Sequence, residues 1–146
     1  YLDSEKYEVR RWDINRPDSL KEFISLINRI RRENPALHRD ESLQFHPIDN
    51  EYLLAYSKQS ADGSNVVLIV VNLSPHHVHS GWLELNLAAL GIEANQPFQV
   101  HDLLTQAYYV WQGPRNYVQL DPHSVPAQIF TVRRNLRREE DFDYYL

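Results

Sequence analysis

The chain has 146 residues, with 15 Lys and Arg against 20 Asp and Glu, giving a formal net charge of −5. That length suits one ordinary domain with a packed core. The acidic balance argues against a nucleic-acid partner, and no run approaches the ~18 apolar residues of a membrane-spanning helix. With no cysteine at all, disulfides, thiolate zinc sites and cysteine nucleophiles are excluded. No basic segment followed by an apolar run opens the chain, so a cytoplasmic location is expected. Opening at Tyr1 in mid-pattern and holding no Met, the chain is expected to be a piece of a longer polypeptide.

Residues 1–17 lack helical or strand periodicity and end in Pro17, which predicts a charged loop. The pattern then changes. Ser19 and Glu22 have the spacing of a capping box, and Leu20, Phe23, Ile24, Ile27 and Ile30 recur at helical intervals. An amphipathic helix over 19–33 is predicted. Arg29, Arg31 and Arg32 crowd its C-terminal half, where cations complement the helix dipole, and Asn34-Pro35 ends it.

Beyond Pro35 the period shortens to two, with turn pairs at Asp49-Asn50, Asp62-Gly63, Gly113-Pro114 and Asp121-Pro122. Strands are predicted over 42–46, 52–59, 65–73, 77–86, 97–102, 107–112, 115–120 and 126–134, with one helical turn at Leu87–Leu90. Short connections without crossover helices predict an antiparallel β-sandwich. The run VVLIVV at 66–71 is apolar on both faces, so it should lie centrally in a sheet covered on both sides. The tail from Arg133 turns from basic to acidic to aromatic, as a frayed end or a docking strip.

Candidate chemistry is sparse. His77 and His79 share a face if extended, with His76 beside them, but no third ligand follows at a metal-site spacing. A solvated turn is expected there, with no metal and no cofactor. The carboxylate pairs Asp3/Glu5, Glu139/Glu140 and Asp141/Asp143 sit in charged stretches that suggest no desolvating cleft. Asn72-Leu73-Ser74 fits a glycosylation triplet, yet it closes a predicted buried strand and precedes Pro75, so chance is the better account. Trp12, Trp82 and Trp111 could stack on sugar rings; for Trp82 and Trp111, core filling is the favoured expectation. Lys6 and Tyr7 differ, placing a cation and a phenol side by side in an irregular loop where binding residues concentrate, although on residue chemistry alone a solvated charged loop is the favoured reading.

Several stretches together resemble one family. YLDSEKYEVR at 1–10, LINRIRRENPAL at 26–37, SLQFH at 42–46, NVVLIVVNLSPHHVHSGWLEL at 65–85, HDLLT at 101–105 and RNYVQLDP at 115–122 resemble the C-terminal end of the bacterial maltosyltransferases that extend α-1,4-glucans from α-maltose 1-phosphate. These belong to the α-amylase superfamily. The helix followed by Asn-Pro-Ala-Leu is specific only to that superfamily, whereas Asp-Ser-Glu-Lys-Tyr and Val-Asn-Leu-Ser-Pro-His-His resemble the transferases in particular. One departure is Gln106, where the turn after Leu-Leu-Thr more often has Gly.

The resemblance implies a fold and a mechanism. Residues 1–37 would be the end of a (β/α)8 catalytic barrel, a loop plus its last helix, and 38–146 a C-terminal β-sandwich with a charged tail. The reaction would be a retaining transfer. An aspartate attacks the anomeric carbon, a glutamic acid protonates the departing phosphate, and a glucan hydroxyl then displaces the enzyme. Both carboxylates would lie outside this chain, leaving no catalytic residue here and making Lys6 and Tyr7 contacts to the maltosyl donor. The partners implied are α-maltose 1-phosphate, an α-1,4-glucan acceptor and the rest of the barrel, with a homodimer as one option and neither nucleic acid nor membrane. The alternative is a free-standing carbohydrate-binding or interaction sandwich, which would not need a second surface to cover the apolar stripe of helix 19–33.

Overall fold

Proline sets the start of the helix. In the computed structural model, which describes Trp12 and residues 16–134, helix α1 spans Pro17–Glu33 with Arg16 as its N-cap. Pro17 supplies a preset φ and has no N–H to leave unpaired, so the helix begins two residues earlier than Ser19. The expected capping box is therefore corrected: no side chain caps this end, and Ser19 and Glu22 lie inside the helix. At the other end Asn34 donates both its backbone N–H (3.1 Å) and its side-chain amide (2.9 Å) to the Ile30 carbonyl. A short 3-10 turn, Pro35–His38, which the periodicity did not indicate, carries the chain away.

Among the described residues eight strands follow: β1 (Gln44–His46), β2 (Leu53–Gln59), β3 (Val66–Asn72), β4 (His79–Glu84), β5 (Phe98–Asp102), β6 (Tyr108–Trp111), β7 (Arg115–Leu120) and β8 (Ala127–Arg133). They form a six-stranded sheet in the order β1-β2-β3-β8-β5-β6 and a two-stranded ribbon, β4-β7. Every pairing is antiparallel. The β-sandwich expected from the sequence is thus the observed architecture.

The apolar run of β3 lies inside the large sheet, paired to β2 and β8. Its residues serve two cores. Val66, Leu68 and Val70 face the ribbon and pack with Leu83, Phe98, Val100, Val118, Leu120 and Phe130. Val67 packs with Leu26 and Ile30 of α1, Ala36, Leu104, Val125, Ile129 and Trp12 in a second cluster. Burying each large aliphatic side chain here contributes about 1.5–3 kcal/mol.

The helical stripe divides on this surface. Leu26 and Ile30 are buried and Phe23 and Ile27 half-buried, while Leu20 and Ile24 stay 40% and 51% exposed. Leu26, absent from the stripe as read from sequence, is one of the helix's two buried residues, with Ile30. The packed arc is rotated toward Leu26 because the sheet and Trp12 approach the helix from that side.

Leu87–Leu90 forms the single helical turn expected. Leu90 N–H reaches the Asn86 carbonyl at 3.2 Å, the Asn86 side chain accepts from Ala89 N–H at 3.2 Å, and Gly91 takes the left-handed conformation that ends the turn (φ 73°).

Candidate functional site

Lys6 and Tyr7 lie outside the described residues, as do Asp3, Glu5 and the tail carboxylates Glu139, Glu140, Asp141 and Asp143. What is described is the anchor that follows the Lys-Tyr pair. Trp12 is only 4% exposed, donates its indole N–H to the Leu104 carbonyl at 2.8 Å, and meets the Phe23 ring edge-on at 5.4 Å. Trp12, five residues beyond Tyr7, is thus tied both to α1 and to the turn between β5 and β6.

That turn is built by Asp102. Its carboxylate accepts the Leu104 N–H at 3.0 Å, and its carbonyl accepts the Gln106 N–H at 2.8 Å. Burial pushes the Asp102 carboxyl up to about 6, against hydrogen bonds from Leu104, Thr105 and Ile129 that favour the charged form. Gln106 is the position where glycine was the more usual residue, and it sits at φ 69°. Two side-chain hydrogen bonds hold it there, to the His101 ring at 3.0 Å and to the Leu103 carbonyl at 3.2 Å. The geometry therefore orients Leu104 to receive Trp12. Asp102 was not singled out in the sequence, where an aspartate ending a strand carries no mark of burial.

Trp82 requires a correction. It is 44% exposed and fills no core; it meets Tyr117 edge-on at 5.3 Å, with the Arg115 guanidinium 5.0 Å above its ring. On β4 the inward positions are Gly81 and Leu83, so a period of two turns Trp82 outward. Trp111 behaves as expected, packing against the core with its ring 6.1 Å from Phe98 and 5.4 Å from Phe130.

The histidines are dispersed into separate roles. The His79 ring stacks on Tyr52 at 4.5 Å and takes a hydrogen bond from the Asn50 amide at 3.2 Å, and the His76 carbonyl accepts from the His123 ring at 3.1 Å. Among the described residues no group of three or more His, Asp or Glu could hold a metal. His46, overlooked in the sequence, is buried: its Nδ1 accepts the Asn86 N–H at 3.3 Å, leaving Nε2 to donate to Ser57 Oγ at 2.8 Å. Burial lowers its pKa. Asn72 uses its side-chain amide within the fold, donating to the His77 and Leu120 carbonyls at 2.9 and 3.1 Å, as befits a chance triplet. Asp62 closes the β2–β3 turn, its carboxyl held down to about 2 by the Ser64 N–H and the Ser64 and Ser60 hydroxyls.

Known proteins are similar to this chain in sequence and in fold. The chain is 46% identical over 136 residues to the α-1,4-glucan:maltose-1-phosphate maltosyltransferase of Corynebacterium glutamicum, and 42% identical over 135 residues to that of Methylacidiphilum infernorum. These matches take in 90% and 92% of the chain, which spans about a fifth of the length of either relative (20%). In fold it is similar to the α-amylase of Geobacillus thermoleovorans solved with acarbose, at TM-score 0.59 and 14% identity, over 84% of this chain and 25% of that one. An Anoxybacillus α-amylase gives TM-score 0.55 at 14% identity, over 78% of this chain and 22% of that one. Because residues 45–132, more than half of the chain and nearly all eight strands, match the family described as GLGE, C-terminal, the chain belongs to that family.

Proposed function

We propose that this chain is the C-terminal part of a maltosyltransferase that moves maltosyl units from α-maltose 1-phosphate onto α-1,4-glucans in cytoplasmic α-glucan biosynthesis. The observation that carries the reading is membership of the GLGE C-terminal family, alongside relatives bearing that activity in their names. In this reading residues 1–37 complete the catalytic barrel and 38–146 form the β domain. The nucleophilic aspartate and the acid glutamate sit on barrel strands outside the chain, and Lys6 and Tyr7 contact the donor.

The apolar surface left on the described residues supports such a junction. Leu20 and Ile24 on α1, and Phe45 and Leu54 on β1 and β2, are exposed. A barrel packed on these residues would remove them from water. One observation favours the free-standing sandwich instead: Leu26 and Ile30 are already buried in the chain's own second core. The four exposed residues weigh against it, since an independent module gains nothing from them.

The test is a chimera in which this chain replaces the matching C-terminal segment of the C. glutamicum relative. Phosphate release from α-maltose 1-phosphate with maltoheptaose is expected from the chimera and not from the 146-residue chain alone. A folded chimera without transfer, or an active chain alone, overturns the reading. Light scattering on the chimera tests the homodimer.

A further inference from the structure

The two layers of the sandwich part at one side, between β6 at the edge of the large sheet and β7 of the ribbon. A cleft of about 340 Å³ opens there, within the usual range for small-molecule sites, lined by Tyr109, Trp111, Tyr117, Gln119, Gln128 and Phe130 among others. Three of these are aromatic residues already in mutual contact: Tyr109 meets Phe130 edge-on at 6.0 Å and Trp111 meets it at 5.4 Å. Tyr117, half exposed, borders the cleft through its strand and turns its ring to the outer face of the ribbon, beside Trp82.

Gln128 is the informative residue. On β8 it shares the inward face with Phe130 and Val132, a position otherwise given to apolar core. Its Oε1 is buried and has no hydrogen-bond partner. A buried acceptor without a donor is costly, and folded chains retain few of them. Flat aromatic surfaces beside an unsatisfied amide oxygen are complementary to one ligand chemistry, a neutral ring with apolar C–H faces and hydroxyl donors at its rim.

We propose that this cleft is a carbohydrate subsite in which a pyranose ring packs against Tyr109 and Trp111 and donates a hydroxyl to Gln128 Oε1. The sugar's identity, a segment of α-1,4-glucan, rests on the proposed function; the chemistry of the cleft does not.

The experiment is calorimetric titration of the 146-residue chain with maltoheptaose, and with cellohexaose as the β-linked control. Saturable binding of maltoheptaose is expected, with cellohexaose weaker. Gln128→Met should weaken that binding about tenfold by removing the acceptor. The same variant should melt about 3 °C higher, because it also removes an unsatisfied buried polar atom. Trp111→Leu, which keeps an apolar side chain against Phe98 and Phe130 but removes the flat ring, should weaken binding at least as much. No saturable binding of either sugar, or binding that neither variant alters, overturns the subsite and leaves the maltosyl-transfer reading standing. Equal affinity for cellohexaose overturns the α-1,4-glucan assignment, and an active chimera would show that maltosyl transfer survives it.

Discussion

Asn65 donates its side-chain amide to Asn34 Oδ1 at 3.0 Å, and its own Oδ1 accepts the Ala36 N–H at 2.9 Å. A residue just before β3 thereby closes the end of α1 and the head of the 3-10 turn. Asn65→Ala removes both bonds and leaves two polar groups short of a partner, at a cost of about 1–3 kcal/mol. Urea unfolding measures the loss. Amide exchange should quicken in residues 17–38 and hardly at all in 66–71; uniform quickening would mean that the clip serves the whole fold.

Trp12 should hold α1 to the sheet more strongly than the helix's own residues hold its shape, because an isolated helix of this length is marginal in water. Trp12→Ala is expected to destabilise by about 3–5 kcal/mol. Trp12→Phe keeps most of the ring but strands the Leu104 carbonyl, for about 1–2 kcal/mol. Equal losses in the two variants would show that the hydrogen bond, and not the packing, dominates.

Asp102 should give stability an acid-side bias. Its folded-state pKa of about 6 lies above the ordinary aspartate value of 3.8. The carboxyl is therefore the more readily protonated in the folded chain, and its contribution is fully present below about pH 4 and lost as pH rises through 6. His46 and His101, lowered by burial, act oppositely: their contributions are present above pH 6.5 and fall away in acid. The difference between the chain and Asp102→Asn isolates the first effect. Between pH 4 and 7 the Asn variant should gain on the original chain; parallel pH curves would place the carboxyl in the ordinary range.

Gln106 occupies a left-handed position that costs a side chain about 1 kcal/mol. Gln106→Ala keeps that strain and drops the bonds to His101 and Leu103, whereas Gln106→Gly drops the bonds and relieves the strain. The Gly variant should be the more stable of the two by about 1 kcal/mol in thermal unfolding. The reverse order would mean that glycine's extra freedom in the unfolded chain outweighs the relief.

Lys6→Ala in the active chimera should lower kcat/KM by roughly ten- to a hundredfold, as for loss of a charge-assisted hydrogen bond to the donor. Lys21→Ala, on the helix surface, should change it little. Unchanged kinetics in Lys6→Ala would return the 1–17 loop to the solvated reading.

Local pattern carried much of the architecture in the sequence itself. Alternation at period two marked most of the strands, the doubly apolar run at 66–71 marked β3 as interior, and Asn34-Pro35 marked the end of α1. Even the outward aim of Trp82 was available, since Gly81 and Leu83 on either side take the inward positions. Lys6 and Tyr7 stood out by resemblance, not by any physical signal of their own.

The remaining features depend on residues far apart in the chain. Trp12 meets Leu104 across 92 positions, and Asn34 meets Asn65 across 31. Gln128 is an unremarkable strand residue until β6 and β7 close around it from different sheets. Periodicity reports which face a side chain occupies, because that follows from backbone geometry within a few residues. What faces it across the core is decided by which strands lie side by side and which sheet covers them, and only the folded chain contains that information.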